Sequence, residues 1–200
     1  MYTLICGSPK INNSNSMYFL NIIKEKLDNY NVFELKDSKY TQILDSINNS
    51  DSIVFAFPLY VDSPSSITLS FLDYIVDNNI DLQGKIIYIV INCGFREGEQ
   101  NITAINILKR WCAKTNAIYG SSIMIGAGEI VGKNKFKFIS RKSLKEIKKF
   151  ADTIKLKEIK NDVITTMDLF NNKMYCYVAN LFWNKKGKKN NLSSSDLRIK

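Results

Sequence analysis

Apolar residues occur along the chain in short runs that alternate with helically spaced stripes. Five runs are nearly continuous and stop at a glycine, a proline or a polar loop, which is typical of strands buried on both faces of a sheet. These predicted strands are residues 2–6, 31–35, 52–57, 85–92 and 118–125. Between and after them, apolar residues recur every three or four positions, which predicts amphipathic helices. The predicted helices begin near Ser16 and then cover 40–47, 67–75, 103–114 and 140–156.

Strands that alternate with helices through short loops indicate a parallel sheet with helices on both faces. The sequence therefore predicts an α/β protein, a three-layer doubly wound sheet of five strands. In such sheets ligands bind beyond the carboxyl ends of the strands, where the strand order reverses. The loops that follow residues 6, 57 and 92 are the places to look for chemistry.

Length and composition narrow the class of protein. Two hundred residues predict one main domain, and the best apolar run, 86–91, is far too short to cross a membrane. The first residues lack the basic flank and cleavage site of a signal peptide, so the four cysteines, with no Cys-x-x-Cys, are interpreted as reduced thiols of a cytoplasmic protein. The chain has no histidine, which excludes Ser-His-Asp and Cys-His catalysis and His-ligated metals.

Charge is distributed unevenly along the chain. Residues 1–132 hold 10 Lys and Arg against 13 Asp and Glu, whereas residues 133–200 hold 18 against 6, so the net charge of +9 belongs to the last third. Such an asymmetry can indicate nucleic acid, a membrane surface or an acidic partner. The alternative is a solvated helix face followed by a loose tail. No nucleic-acid-binding motif is present, so no nucleic-acid partner is expected.

The first loop, residues 7–16, follows a strand and leads into a helix. Its serine hydroxyls, the charge of Lys10 and the backbone N–H groups of a helix N-terminus can together bind an anion. It lacks the glycines of a Walker motif and of Gly-x-Gly-x-x-Gly, which disfavours ATP and a Rossmann-bound dinucleotide. A phosphate monoester held by hydrogen bonds fits this composition, and the alternative is a helix cap on a Ser/Asn-rich turn.

The second and third loops, residues 58–64 and 92–101, offer apolar surface. A planar ring can lie against Leu59 and Tyr60 with backbone groups at its edge; a surface turn is the alternative. In the third loop two glycines permit close approach of the backbone to a ligand, and Phe95 adds a second apolar surface. The acidic and amide residues that follow also suit the first turn of a helix. This loop alone is therefore compatible with a ligand contact and with an ordinary helix start.

In this order the three loops resemble the flavodoxin-like fold family, specifically its branch of NAD(P)H-dependent FMN reductases and flavoprotein oxidoreductases. Members typically have Gly-Ser-Pro-Arg followed by Ser-Asn-Ser or Ser-Asn-Thr, matched here by 7–10 and 14–16, with Lys10 in place of arginine. They also have a Pro-Leu-Tyr or Pro-Val-Tyr loop, matched by 58–60. The resemblance implies the strand order 2-1-3-4-5. With it we expect an FMN-binding domain over 1–158 and a basic C-terminal helical extension and tail over 159–200.

The resemblance also implies FMN as the cofactor and NADH or NADPH as the electron donor. The residues implied around the phosphate are Ser8, Lys10, Ser14, Asn15 and Ser16. Those implied along the flavin are Pro58, Leu59, Tyr60 and Val61, with Asn92, Cys93, Gly94 and Phe95 at its other edge. No catalytic side chain and no metal are implied, because the flavin carries the chemistry.

The implied function is that of an FMN-dependent oxidoreductase that passes electrons to an acceptor: a quinone, a flavin, another small molecule or a protein. The alternative is a flavodoxin-type electron-transfer protein without its own substrate, although such carriers are usually acidic. A third hypothesis is a scaffold whose basic tail binds nucleic acid or lipid. Related enzymes tend to dimerise, so a homodimer is expected.

Two further features, a cysteine and an aromatic segment, each have two interpretations. Cys93 is either a redox-active thiol beside the flavin or a packing residue. The aromatic segment 175–183 precedes a lysine cluster, as in an anchor for an anionic membrane surface. A C-terminal helix that packs on the domain or on a dimer partner is the interpretation that we favour over membrane contact.

Overall fold

A computed structural model describes residues 1–10, 13–132, 140–167 and 172–197. The strands are β1 (Tyr2–Cys6), β2 (Tyr30–Glu34), β3 (Ser52–Tyr60), β4 (Ser63–Pro64), β5 (Ile86–Asn92), β6 (Ile118–Ile125) and β7 (Val163–Thr165). The helices are α1 (Asn15–Lys24), α2 (Tyr40–Asn48), α3 (Ser66–Asp77), α4 (Ile102–Lys114), α5 (Gly128–Val131), α6 (Arg141–Lys155) and α7 (Asn172–Lys188), and a 3-10 helix covers Gly98–Asn101.

The sheet has the order β2-β1-β3-β5-β6-β7, and these strands are parallel; β4 pairs with β3 in an antiparallel hairpin. The five predicted strands keep their expected relative order, but the prediction of a five-stranded sheet is wrong. Seven strands lie in the part of the chain that the structure describes. The two additional strands have two and three residues, too few to produce a readable period along the sequence.

Helices cover both faces of the sheet, as the continuous apolar runs predict. On one face α2, α3 and α4 pack against the inward side chains of β1, β3 and β5, in a core that includes Phe55, Phe71 and Trp111. The Trp111 indole N–H, although buried, donates to Leu72 O at 3.0 Å. On the other face α1 and α6 pack together. Helix α1 lies against β3 and β5 and α6 against β6 and β7, and Phe150 meets the ring of Tyr88 edge to face. The sheet and these helices therefore form a three-layer α/β structure.

β7 is fixed to the edge of the sheet by a polar cluster around Asp162. One carboxylate oxygen accepts hydrogen bonds from the Tyr119 hydroxyl and from the backbone N–H and hydroxyl of Ser122. The other oxygen lies 2.6 Å from Lys109 Nζ. Burial alone would raise the pKa of Asp162, but the donors of Lys109, Tyr119 and Ser122 outweigh it and lower that pKa. The ionised carboxylate thus ties α4 and β6 to the start of β7.

The chain divides into two compact units, residues 1–167 and 168–200. Within the second unit, α7 is followed by a turn in which Leu192 N–H donates to Gly187 O at 3.0 Å and Leu197 packs over Gly187. Tyr177, Trp183 and other large apolar residues of α7 are exposed. No described helix has the length and apolar character needed to cross a membrane. The expected boundary near 158 stays a prediction, although β7 follows that position and belongs to the first unit.

Candidate functional site

The three candidate loops all follow the carboxyl ends of strands, along one side of the sheet that forms its carboxyl edge. Cys6, the last residue of β1, is in register with Ala56 of β3, and Gly7 N–H donates to Ala56 O at 2.8 Å. Farther along β3, Pro58 is in register with Asn92, the last residue of β5, which in turn aligns with Ile125. The carboxyl ends of four neighbouring strands therefore bring the loops together, as the sequence predicts for a doubly wound sheet.

The first loop leads into the N-terminus of α1. Ser14 is the N-cap residue, and its hydroxyl accepts a hydrogen bond from Met17 N–H at 3.1 Å. Ser8 Oγ accepts from Lys10 N–H at 3.4 Å, and the exposed Lys10 ammonium donates to Asn13 O at 3.3 Å. The first turn of α1 contains no acidic residue. This end of the helix therefore combines hydroxyl donors with a lysine and can bind an anion.

Two of the residues predicted to bind phosphate, Asn15 and Ser16, contact other segments of the chain. A Cβ atom on Gly132 would lie 2.7 Å from Asn15 Cγ, so this asparagine packs against the end of α5. The Ser16 hydroxyl is buried and accepts a hydrogen bond from Asn92 Nδ2 at 3.1 Å. A hydroxyl has one hydrogen to donate, and in both Ser14 and Ser16 the oxygen already accepts an N–H. The Ser14 oxygen also lies 3.7 Å from Cys6 Sγ, where a hydrogen bond can run in either direction, whereas the Ser16 O–H points away from Asn92 and can be offered to an anion.

The second loop is a tight hairpin at the end of β3. Strand β3 continues past Phe57 to Tyr60, farther than the sequence predicts, because Pro58 is accommodated at the end of the ladder opposite Asn92. Val61 and Asp62 form the turn with φ of 47° and 58°. Both values are positive, a region that β-branched residues strongly disfavour. Val61 is 97% exposed and Tyr60 50% exposed, so the turn presents apolar surface to solvent.

The third loop continues from β5, next to the second. Cys93 N–H donates to Ile125 O at 3.0 Å, and Cys93 O accepts from Gly128 N–H at 2.8 Å, so the loop is tied to the segment after β6. Phe95 is 56% exposed, beside a strand that is adjacent to the one carrying Tyr60. The second and third loops thus place exposed aromatic rings on neighbouring strand ends.

The Cys93 thiol is buried in this loop. Its sulfur lies 3.5 Å from Glu97 O and 3.4 Å from Asn101 Nδ2. Burial raises the pKa of the thiol by more than the hydrogen bonds of Phe95 and Asn101 lower it. A protonated, buried thiol is a poor nucleophile, so the geometry favours the packing interpretation of Cys93.

Gly98 and Gly126 are required by the protein's own backbone. A Cβ atom on Gly98 would lie 2.6 Å from both Met124 O and Thr165 O, and one on Gly126 would collide with the backbone of Arg96. The close approach predicted for Gly98 is therefore made to the protein, whereas space around Gly94 is open. Thr165 O also accepts from Gly126 N–H at 2.9 Å, so β7 supports the segment after β6, against which the third loop packs.

Sequence reasoning did not identify the supports of this loop. Arg96 and Met167 exchange hydrogen bonds: Met167 N–H donates to Arg96 O at 3.2 Å, and Arg96 Nη1 donates to Met167 O at 3.3 Å. Asn101 is fully buried, and its side-chain oxygen has no hydrogen-bond partner among the described residues. These contacts join distant segments, and no local spacing signals them.

At the carboxyl ends of its strands this doubly wound sheet has a helix N-terminus with serine hydroxyls and a lysine, and exposed aromatic rings on neighbouring loops. In sheets of this kind ligands bind at that end. No family model matches the chain, and no curated protein matches its sequence. Solved structures do match its fold. A protein described as an NADPH-quinone reductase from P. pentosaceus superposes with a TM-score of 0.61 at 18% identity, over 76% of this chain and 97% of that one.

Two other similar structures hold a bound flavin. An FMN-dependent NADH-azoreductase from Bacillus anthracis in complex with FMN matches with a TM-score of 0.58 at 13% identity, over 77% of this chain and 99% of that one. A Fusobacterium nucleatum flavodoxin bound to flavin mononucleotide matches with a TM-score of 0.56 at 15% identity, over 78% of this chain and 98% of that one. The chain therefore has the flavodoxin-like fold, as its motifs predict.

Proposed function

We propose that this protein binds FMN at the carboxyl edge of the sheet and uses it to transfer electrons from NADH or NADPH to an acceptor. The observation that carries the proposal is the hydrogen bonding of the serine hydroxyls at the start of α1. Ser14 and Ser16 each accept a protein N–H, and the O–H of Ser16 is directed away from that donor. The Ser14 hydroxyl also contacts Cys6 Sγ at 3.7 Å, a weak hydrogen-bond partner that a phosphate oxygen would displace. A phosphate accepts hydrogen bonds and donates few, so these donors suit it. Phosphate binding is assigned to Ser8, Lys10, Ser14, Asn15 and Ser16.

The isoalloxazine ring is assigned to the apolar surface beside this anion site. Tyr60, Val61 and Phe95 are large apolar groups exposed on neighbouring strand ends, and a bound aromatic ring would remove them from water. The complete assignment for the ring is Pro58, Leu59, Tyr60 and Val61 on one side and Asn92, Cys93, Gly94 and Phe95 at the other edge. The unfavourable backbone conformation of Val61 supports this assignment, because such conformations cluster at ligand-binding positions.

Bound FMN supplies the hydride and electron chemistry, and the protein supplies binding, orientation and exclusion of water. Lys10 compensates phosphate charge from the surface, while the buried hydroxyls of Ser14 and Ser16 fix its position. Tyr60 and Phe95 hold the ring by stacking and edge contacts. No side chain is assigned as a general acid or base, which agrees with a chain that has no histidine.

Anaerobic mixing with NADH and with NADPH tests the enzymatic part of the proposal. We expect one of them to bleach the flavin absorbance of the FMN-loaded protein, because the apolar site leaves a ring face for a nicotinamide. Tyr60→Ala should weaken FMN binding about fivefold through lost stacking. Tyr30→Ala, at the opposite edge of the sheet, is the matched control and should leave it unchanged. If a reduced ferredoxin reduces the flavin but neither nucleotide does, the protein is an electron carrier and not an NAD(P)H-dependent enzyme.

The electron-carrier function is the second candidate, and the likeness to the FMN-bound flavodoxin favours it. Charge argues against it, since carriers that dock on basic partners are acidic. The unit over 1–167 holds 21 Lys and Arg against 17 Asp and Glu, so it is basic even without the C-terminal segment.

Electron acceptor, assembly and location complete the proposal. The acceptor is a quinone, a flavin, another small molecule or a protein. We assign the protein to the cytoplasm as a homodimer, with a nicotinamide nucleotide as its partner and no nucleic acid. The exposed apolar residues of α7, next to Lys185 and Lys186, are the surface for dimer contact or for a secondary contact with an anionic membrane.

A further inference from the structure

Asn92 is at the centre of the hydrogen bonds that join the loops of the site. Its amide nitrogen donates to Ser16 Oγ at 3.1 Å and to Phe57 O at 3.3 Å, which uses both hydrogens of the amide. A Cβ atom on Gly128 would lie 2.8 Å from Asn92 Oδ1, so the amide is also packed against the start of α5. One side chain therefore connects the start of α1, the end of β3, the end of β5 and the segment after β6.

Asn92 and Ser16 are both buried, with exposed fractions of 5% and 1%. Within such a site hydrogen bonds are electrostatically stronger than in water, and a misplaced donor or acceptor costs more. The direction of the bond matters. Because the amide nitrogen can only donate, Ser16 must act as the acceptor, and its O–H is directed elsewhere.

We infer that Asn92 is a positioning residue that acts through Ser16: it fixes the serine hydroxyl as a donor to the phosphate of the bound flavin. This inference rests on the proposed FMN site and changes the role of Asn92 from a contact at the flavin edge to a support of the phosphate site. Its effect is specific to the phosphate, so it separates FMN from riboflavin, which has the same ring and no phosphate.

The experiment compares the dissociation constants of FMN and riboflavin for the full chain, measured by quenching of flavin fluorescence. Ser16→Ala removes the donor, and Asn92→Ala removes the group that orients it. Each is expected to weaken FMN binding about tenfold, the effect of one hydrogen bond to a charged group, and to change riboflavin binding less than twofold. The double variant should bind FMN as Ser16→Ala does, because Asn92 acts only through Ser16.

Asn78→Ala is the control, since this exposed amide donates to Tyr74 O at the opposite edge of the sheet. If Asn92→Ala does not fold, Asn92→Asp preserves its volume; the carboxylate would accept the Ser16 O–H, and FMN binding should again weaken without a change for riboflavin.

Equal weakening of both ligands by either Asn92 variant, or additive losses in the double variant, would overturn the inference while the FMN site stands. If the wild-type chain binds neither flavin, the proposed function and the inference fail together.

Discussion

Replacing Asp162 by alanine is expected to lower the free energy of unfolding by about 3 kcal/mol, since hydrogen bonds to a charged group contribute about 1.5–3 kcal/mol each and this carboxylate is partly exposed. The substitution leaves the Tyr119 hydroxyl and the Ser122 N–H without their acceptor at the place where β7 joins β6. Chemical denaturation of the variant and wild type measures the difference.

The same carboxylate predicts a pH dependence. Its pKa is lowered in the folded protein, so its contribution is complete above the unfolded value, about pH 4, and is lost as the pH falls through the folded pKa. Asp162→Asn should therefore show a shallower loss of stability between about pH 5 and 3 than wild type.

Asp152→Asn is the matched control for both substitutions. Asp152 pairs with Lys26 on the surface, 2.8 Å apart, and this change should cost less than about 1 kcal/mol. An Asp162→Ala protein as stable as the Asp152→Asn protein would show that the cluster does not hold β7.

Deleting residues 160–200 is expected to abolish cooperative folding or lower Tm by more than about 10 °C, whereas deleting 168–200 should change Tm by only a few degrees. The longer deletion removes Asp162, β7, the Thr165 carbonyl that bonds the segment after β6 and the Met167 N–H that bonds the third loop. It also exposes the edge of β6. The shorter deletion leaves these contacts in place and removes only the second compact unit.

Thermal unfolding followed by circular dichroism, with the mass of each variant in solution, measures both effects. Equal melting temperatures for the two deletions would contradict the role given to β7. Loss of the dimer mass after the shorter deletion is the result expected if α7 forms the dimer contact, whereas a large loss of Tm would show that residues 168–200 also stabilise the first unit.

Much of the fold can be predicted from the sequence because the patterns that indicate its strands and helices are local. Residues 53–57 are apolar without interruption, and a strand buried on both faces requires that composition. Helices α4 and α6 agree with their predicted spans within a residue or two for the same reason. β7 was missed because three residues carry no period, and its position depends on Asp162, whose partners are about 40 residues away in sequence.

The site was predicted in part for the same physical reason. Loop composition located the strand ends, and the structure brings all three loops to one edge. Composition does not specify which side chains are hydrogen-bond partners. Ser16 and Asn92 are 76 residues apart, and their hydrogen bond forms only when the chain has folded. The turn at Val61 carries no Asn-Gly signal, so the length of β3 and its hairpin could not be predicted from turn chemistry.

The identity of the bound flavin decides whether this protein has an FMN site at the carboxyl ends of its strands. The purified full-length chain would be denatured and the released flavin separated by chromatography; any protein purified without flavin would be titrated with FMN and with FAD. We expect FMN, because the hydroxyls of Ser14 and Ser16 and the charge of Lys10 suit one terminal phosphate. Release of FAD alone, or a colourless protein that leaves the fluorescence of added FMN unchanged, would contradict it.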